Sequence, residues 1–392
     1  MATVFSKEIE DDLRARGYSR RQFGRISSLL SVGAAFGSLM PEAFAAAPRK
    51  DPGFVGHTDM IRISTNECWT GPFPSPAAAG QAIVLQGNRY EPDHLRKTLI
   101  ETAATVEGAP VENVLPWPGS SEPLLRTVIC FCSPTRGVVT ANPTYEAVWG
   151  SAEWLRTKLT RVPLSAANNY ATDVRAMLRA DPNAGMYYIC SPNNPTGTVT
   201  SLEDIQWLAD NKPKDAVLVV DEAYIHFSPA RSAIPLTQGR DDVLVLRTFS
   251  KLFGMAGLRL GLTFASPALH DRMMRFDGEN LISMLSVVAM AVGGPSLVEK
   301  DMILQRRNDM IAARDMTLAH LTRRNIRFIP GSQANMILVD WKKPAPAVKE
   351  AFARQKIEIG RNWPIWPTMS RVTIGSMRDM EGFCAALDRI MA

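Results

Sequence analysis

The sequence contains little cysteine. The five cysteines among its 392 residues are Cys68, Cys130, Cys132, Cys190 and Cys384. They are odd in number and lack the paired spacing of metal ligands, which argues against a disulfide scaffold and against a metal site. Four of them lie in apolar surroundings, so we expect buried free thiols.

Internal repeats and a basic stripe with interleaved aromatic residues are also missing. The net charge of +5 is modest, and part of it lies in the first fifty residues. This charge pattern does not indicate nucleic acid as a partner. The composition that is present, 46% apolar and 21% charged, is ordinary for a globular protein, and the chain is long enough for two domains.

We expect the first 47 residues to lie outside the fold. Arg20 and Arg21 precede a mildly apolar stretch, residues 26–44, whose first charge is Glu42. This segment resembles a twin-arginine (Tat) export signal cleaved after Ala45, which implies the Tat machinery as a partner and a periplasmic or secreted protein. Its modest apolarity argues against a stable membrane anchor. A chance Arg-Arg pair before an amphipathic helix is the alternative.

A lysine follows a short apolar segment in the middle of the chain. The segment Val243–Leu246 is β-branched and short, which predicts a buried strand, and Lys251 lies just beyond it. Burial at a strand end disfavours the ammonium form, so Lys251 is a candidate nucleophilic amine. Ser250 and Arg259 suit an anionic phosphate, the arginine through a forked contact. Taken alone, this segment is more typical of a solvated loop.

Further polar residues stand at a strand end, in a rigid loop and at a helix start. Asp221 ends an apolar run, at the carboxyl end of a predicted strand, where α/β folds build their sites. The loop of residues 191–197, Ser-Pro-Asn-Asn-Pro-Thr-Gly, is stiffened by two prolines and can aim the Asn194 amide. Ser120 and Ser121 open a helix whose free N–H groups can bind phosphate. Simple capping explains Asp221, or the helix start at Ser120, if either is taken singly.

The order and spacing of these motifs resemble the pyridoxal-phosphate (PLP) enzymes of aminotransferase fold type I. Within the class I and II aminotransferases, the sequence resembles the histidinol-phosphate aminotransferases, and the resemblance covers residues 58–392. It implies that Lys251 forms a Schiff base with PLP. It assigns the cofactor contacts to Ser120, Ser121, Tyr145, Asn194, Asp221, Tyr224, Ser250, Arg259 and, across a homodimer interface, Tyr90. A turn tyrosine that packs locally is the alternative for Tyr90.

The same resemblance implies substrate contacts for Arg371, Arg361 and Asn66. Arg371 matches the arginine that holds the substrate carboxylate, and Arg361 matches one that some members use for a distal acid or phosphate. A surface charge is the alternative for Arg361. The segment that begins at Asn66 departs from the family at residues 68–70 and lacks the tyrosine that helps to hold a substrate phosphate.

Tryptophans near these positions favour a bulky apolar or aromatic amino acid as substrate. Trp69 lies in the arm that faces the site in relatives, and Trp363 and Trp366 lie between the two arginines. Buried aromatic rings favour apolar or aromatic partners. Filling of the core of a small domain is the alternative for Trp363 and Trp366.

The predicted architecture is α/β, with a mostly parallel seven-stranded sheet in a large domain and a small C-terminal α/β domain. We place the signal at residues 1–45, an N-terminal arm at 46–80, the large PLP-binding domain at 81–290 and the small domain at 291–392. The longest predicted helix covers residues 296–325.

The predicted reaction is transamination between an amino acid, or an amino-acid-like amine, and a 2-oxo acid. A PLP-dependent lyase, decarboxylase or cyclase is one alternative, because the same site residues serve those reactions. A PLP-binding sensor is another, but it would normally carry a fused regulatory domain or lack the lysine, and neither is seen.

Overall fold

The computed structural model describes residues 5–31, 60–276 and 278–391, so the expected cleavage site after Ala45 lies outside the described residues. The helices of the described residues are α1 (Lys7–Ala15), α2 (Arg20–Ser31), α3 (Pro74–Ile83), α4 (Leu95–Glu107), α5 (Ser121–Phe131), α6 (Ala147–Leu155), α7 (Val174–Ala180), α8 (Leu202–Asn211), α9 (Pro267–Met274), α10 (Gly278–Ser283), α11 (Val287–Val298), α12 (Lys300–Arg323), α13 (Ala345–Arg354) and α14 (Met377–Met391). The strands are β1 (Ile61–Ile63), β2 (Val114–Trp117), β3 (Val138–Asn142), β4 (Leu159–Pro163), β5 (Met186–Cys190), β6 (Val217–Asp221), β7 (Val243–Thr248), β8 (Gly261–Phe264), β9 (Arg327–Phe328), β10 (Met336–Asp340), β11 (Ile357–Ile359) and β12 (Met369–Thr373).

The largest sheet has seven strands in the order β2-β8-β7-β6-β5-β3-β4. Strand β8 runs antiparallel to both of its neighbours, and the other pairs are parallel. This confirms the predicted mostly parallel sheet. Every residue of β5, β6 and β7 is buried, as expected for parallel strands whose sheet is covered on both faces.

The register aligns the carboxyl ends of the three central strands. Cys190 of β5 pairs with Asp221 of β6, and Asp221 pairs with Leu246 of β7. The loops that follow these strands therefore begin at one edge of the sheet. Open α/β sheets bind their ligands at this edge.

Two smaller sheets bring the N-terminal arm to the C-terminal part of the chain. Strand β10 lies between β9 and β12 in an antiparallel sheet, and β1 pairs in parallel with β11. Gly360 permits the close approach of the segments that follow β1 and β11. A Cβ atom at Gly360 would lie 2.5 Å from the carbonyl oxygen of Arg371 and 3.1 Å from that of Ser64, so a side chain cannot be accommodated.

The start predicted for the helix of residues 296–325 is wrong. Helix α11 ends at Val298, and α12 begins at Lys300. Between them, Glu299 leaves helical geometry with φ −76° and ψ 61°. The sequence lacks a glycine or proline at this break, so its composition does not mark it. The predicted domain boundaries stay predictions.

The N-terminal helices pack against the fold, contrary to the expectation for residues 1–47. Leu13 of α1 and Ile26 of α2 are fully buried. The guanidinium of Arg16 donates hydrogen bonds to the carbonyl oxygens of Ile129 and Cys132, at 2.6 and 2.5 Å. The last carbonyl groups of a helix lack partners within it, and Arg16 supplies donors for them at the end of α5. No helix in the described part of the chain is long and apolar enough to cross a membrane.

Candidate active site

Lys251 lies beyond the carboxyl end of β7, three residues after Thr248. Its Nζ atom is 5.6 Å from the centre of the Tyr224 ring and 3.5 Å from the carbonyl oxygen of Thr65. Burial lowers the pKa of Lys251 to about 8, and the positive charge of Arg371 acts in the same direction. Close to neutral pH, more of this lysine is therefore the neutral, nucleophilic amine than for an ordinary lysine.

Asp221 is a buried carboxylate at the end of β6. It accepts hydrogen bonds from the Tyr188 hydroxyl at 2.9 Å and from the backbone N–H of Ala223 at 3.1 Å. Burial raises the pKa of Asp221 to about 6, although both hydrogen bonds favour the charged form. Sequence reasoning missed Tyr188. Its position on β5, two residues before the end of the strand beside β6, is the signal that could have indicated it.

A site for an anion lies where the start of α5 meets the loop after β7. Ser120 is the residue before the first turn of α5, and its side chain makes no capping hydrogen bond. Arg259 reaches the same place and donates to the Ser250 hydroxyl at 3.4 Å. A Cβ atom at Gly119, which has φ +86°, would lie 2.4 Å from an Arg259 nitrogen. Free helix N–H groups and a guanidinium together suit a phosphate.

Arg259 itself has a positive φ of +58°. This backbone conformation is uncommon for a residue other than glycine, and such strain concentrates at functional sites. The geometry directs the guanidinium back toward Ser250 and the start of α5.

Tyr145 follows β3 and lies beside the start of α5. Burial raises the pKa of Tyr145, and the nearby Ser121 side chain opposes this rise. Tyr224, in the loop after β6, accepts a hydrogen bond from the Asn66 amide at 3.0 Å. Asn66 in turn accepts from the Thr373 hydroxyl at 2.9 Å, so the N-terminal arm is joined to both β6 and β12.

Arg371 of β12 is almost fully buried. It donates to the Asn194 side-chain oxygen at 2.8 Å and to the carbonyl oxygen of Ser64 at 2.6 Å, while its buried Nε has no partner among the described residues. Burial lowers the pKa of Arg371 to about 10. A buried charged group with a free donor is costly unless it is paired, which indicates a ligand of negative charge. Sequence reasoning missed Ser64.

Arg361 takes part in a close ion pair and is not an isolated charge on the surface. Its guanidinium lies 2.5 Å from a carboxylate oxygen of Glu146 and 4.9 Å from the centre of the Trp363 ring. Trp363 is 1% exposed, and its indole N–H has no partner among the described residues. Sequence reasoning missed Glu146, although it directly follows Tyr145.

Tyr90 is the predicted site residue that the single chain does not bring to the cluster. Its side chain is 93% exposed, on a surface that also exposes Val84 and Leu85. Local packing, the alternative considered for Tyr90, is therefore wrong. Its predicted role across a homodimer interface stays a prediction.

The chemistry of this donor set fits PLP. The start of α5 with Ser120 and Ser121, together with Ser250 and Arg259, would hold the phosphate. Asp221 would face the ring nitrogen, Asn194 and Tyr224 the phenolic oxygen, and Tyr145 the ring. Lys251 would carry the covalent link. When bound, PLP supplies an electron sink that stabilises negative charge at the α-carbon of a substrate.

The fold and this cluster define a PLP-dependent enzyme of fold type I. The family described as "Aminotransferase class I and II" matches residues 58–387, and the chain belongs to this family. It is a PLP-dependent aminotransferase.

Its relatives differ in their named substrates. The chain is 29% identical over 347 residues to the histidinol-phosphate aminotransferase of Moorella thermoacetica, with 86% of this chain and 87% of the relative covered. It is 30% identical over 328 residues to the aromatic amino acid aminotransferase of Rhodococcus jostii, with 83% and 88% covered. The structure of histidinol-phosphate aminotransferase from Sinorhizobium meliloti in complex with pyridoxal-5'-phosphate aligns with a TM-score of 0.77 at 24% identity, covering 88% of this chain and 98% of that one.

We expect Lys251→Ala protein to bind PLP without a covalent link and to lose turnover by several orders of magnitude, because it lacks the nucleophilic amine. The measurement is borohydride reduction of the purified wild-type protein, followed by peptide mass spectrometry to find the modified lysine. Lys349→Ala, on the exposed face of α13, is the matched control and should keep full activity. A reduced adduct on a lysine other than Lys251 would contradict the assignment.

Proposed function

We propose that the amino donor is an α-amino acid with a bulky apolar or aromatic side chain. Its carboxylate binds Arg371, and its amino group is transferred to a 2-oxo acid. The observation that carries this proposal is the environment of Arg371. Its guanidinium lies 5.9 Å from the centre of the Trp363 ring, the same buried indole that Arg361 covers. A carboxylate held by Arg371 therefore has an aromatic surface near it, which favours an apolar or aromatic side chain.

The neutral amine of Lys251 has a second role in this reaction. With PLP and the amino acid bound, Lys251 Nζ would take the proton from the substrate α-carbon and give it back on the cofactor side. A pKa near 8 suits this work, because general acid–base catalysis is most efficient when the pKa lies near the working pH.

Histidinol phosphate is the second candidate donor. The name of the Moorella relative supports it, and Arg361 is a possible phosphate ligand. Two observations count against it: Arg361 is already paired with Glu146, and Thr70 lies in the segment where the phosphate-binding tyrosine of that group is missing.

We also propose that the active enzyme is a homodimer. Val84, Leu85 and Tyr90 are large apolar or aromatic side chains that are exposed on the segment between α3 and α4. In a homodimer these side chains would be covered, and Tyr90 would reach the phosphate site of the partner.

Export by the Tat route is proposed as well, with the mature enzyme in the periplasm or outside the cell. The support is the sequence pattern, together with the exposed side chains of Arg20 and Arg21 at the start of α2. The Tat route carries folded proteins, so PLP loaded in the cytoplasm would travel within its enzyme. Cleavage after Ala45 would remove α1 and α2 and leave the face that they cover, including the end of α5, open to solvent.

We expect Arg371→Ala to raise KM for the amino acid while PLP stays bound. Hydrogen bonds to charged groups contribute about 1.5–3 kcal/mol, so the rise should be roughly tenfold to a hundredfold. Steady-state kinetics with phenylalanine provides the measurement, and Arg389→Ala at the exposed end of α14 is the control. The proposed donor class is wrong if histidinol phosphate or a dicarboxylic amino acid has the higher kcat/KM by about tenfold.

We expect Tyr90→Ala and Lys251→Ala proteins, each poorly active alone, to regain partial activity when they are unfolded and refolded together. A mixed dimer has one site with both native residues if Tyr90 acts across the interface. Arg371→Ala mixed with Lys251→Ala is the control and should give no recovery, because Arg371 and Lys251 serve the same site of one chain. If mixing Tyr90→Ala with Lys251→Ala restores no activity, Tyr90 does not act across the interface.

We expect Arg20→Lys with Arg21→Lys to leave active enzyme in the cytoplasm. The measurement is activity and N-terminal sequence in separated cell fractions. Arg323→Lys with Arg324→Lys, another exposed adjacent pair, should be exported normally. Wild-type protein that stays cytoplasmic with Met1 or Ala2 at its N-terminus would refute export.

A further inference from the structure

The ion pair between Arg361 and Glu146 lies close to Arg371, the proposed carboxylate site. Arg361 and Arg371 both approach the buried Trp363 ring, at 4.9 and 5.9 Å. Glu146 follows Tyr145, which would face the cofactor ring. The pair therefore lies between the proposed cofactor contacts and the proposed carboxylate site.

We infer that Glu146 determines substrate specificity by keeping Arg361 occupied, so that the enzyme disfavours amino donors with a second anionic group. This inference rests on the proposed binding of the α-carboxylate by Arg371. The disfavoured class includes dicarboxylic amino acids and phosphate esters. The accepted class is amino acids with uncharged side chains.

The geometry explains why the pair is difficult to break. Glu146 and Arg361 are only 15% and 30% exposed, and the two atoms lie 2.5 Å apart. A distal carboxylate or phosphate on a substrate would have to take Arg361 away from Glu146. That exchange leaves the Glu146 carboxylate in a poorly solvated place without its partner, beside a second negative charge.

The other two cations near Glu146, Arg161 and Arg371, cannot easily replace Arg361. Arg161 of β4 is directed to the surface carboxylate of Glu153, and its guanidinium lies 4.4 Å from the centre of the Trp149 ring. Arg371 is also within electrostatic reach of Glu146, but its hydrogen bonds go to Asn194 and Ser64. Burial raises the pKa of Glu146 and Arg361 opposes this effect, which agrees with Arg361 as the principal partner.

The test compares donor preference in the PLP-loaded full-length enzyme and its Glu146→Gln variant. Glutamine keeps the size of the side chain but removes its charge, so Arg361 becomes free to bind a distal anion. We expect kcat/KM for glutamate to rise by about tenfold or more, while kcat/KM for phenylalanine changes by less than about threefold. A merely structural role for Glu146 would lower both values together.

Glu153→Gln is the matched control, because it removes a glutamate that pairs with Arg161 on the exposed side of α6. Glu153→Gln should leave kcat/KM for both glutamate and phenylalanine unchanged. In the double variant Glu146→Gln with Arg361→Gln, the gain for glutamate should disappear. The inference is overturned if the ratio of kcat/KM for glutamate to kcat/KM for phenylalanine is the same in Glu146→Gln as in the wild type. It is also overturned if the gain for glutamate survives in the double variant.

A binding measurement covers the case in which turnover of the variant is too low. Titration with glutarate and with 3-phenylpropionate, followed through the cofactor absorbance, should show tighter binding of glutarate alone in Glu146→Gln. Equal changes for the two acids would contradict the inference. This outcome is independent of the proposed donor: a wild-type enzyme that prefers a non-aromatic donor would refute the donor proposal while a selective gain for glutarate still supports the role of Glu146.

Discussion

Arg371 joins three distant parts of the chain at one buried guanidinium. It belongs to β12, and its hydrogen bonds reach Asn194 in the loop after β5 and Ser64 in the N-terminal arm. A buried cation is stable only when its donors are satisfied, so these segments must come together for the site to exist. Two donors are satisfied within the chain and Nε is left without a partner, which prepares the group for an anionic substrate.

The parallel sheet imposes the second constraint. Its register brings Asp221 and the loops after β5 and β7 to one edge, where burial acts on both ionisable groups of the catalytic cluster. Burial lowers the pKa of Lys251 and raises that of Asp221, because in each case it disfavours the charged form. The Tyr188 hydrogen bond partly restores the charged form of Asp221. The same desolvation therefore activates the lysine, while added hydrogen bonds hold the aspartate ready for a protonated ring nitrogen.

Charge at the proposed distal end of the site is balanced within this chain. Arg361 alone would attract a second acid or a phosphate, but Glu146 pairs with it, and its guanidinium lies 4.9 Å from the centre of the Trp363 ring. An arginine that the sequence resemblance assigns to anion binding thus has a carboxylate partner here. The proposed substrate class therefore depends on the partner of Arg361 as well as on the arginine itself.

The sequence by itself determined the elements and the local motifs. Val243–Leu246 lies within β7, Asp221 ends β6 and Ser121 begins α5, because apolar runs and capping residues act over a few positions. The Ser-Pro-Asn-Asn-Pro-Thr-Gly loop and the lysine after β7 were recognisable for the same reason. The break at Glu299 was missed, since no glycine or proline stands at this position to mark it.

Only the tertiary structure decided the pairings between distant residues. Tyr188 reaches Asp221 across 33 positions, and Arg371 reaches Asn194 across 177. The tertiary structure also showed that Arg16, which belongs to the N-terminal segment that resembles an export signal, binds the end of α5. Hydrogen bonds and ion pairs of this kind require two segments to meet, and local patterns carry no information about which segments meet.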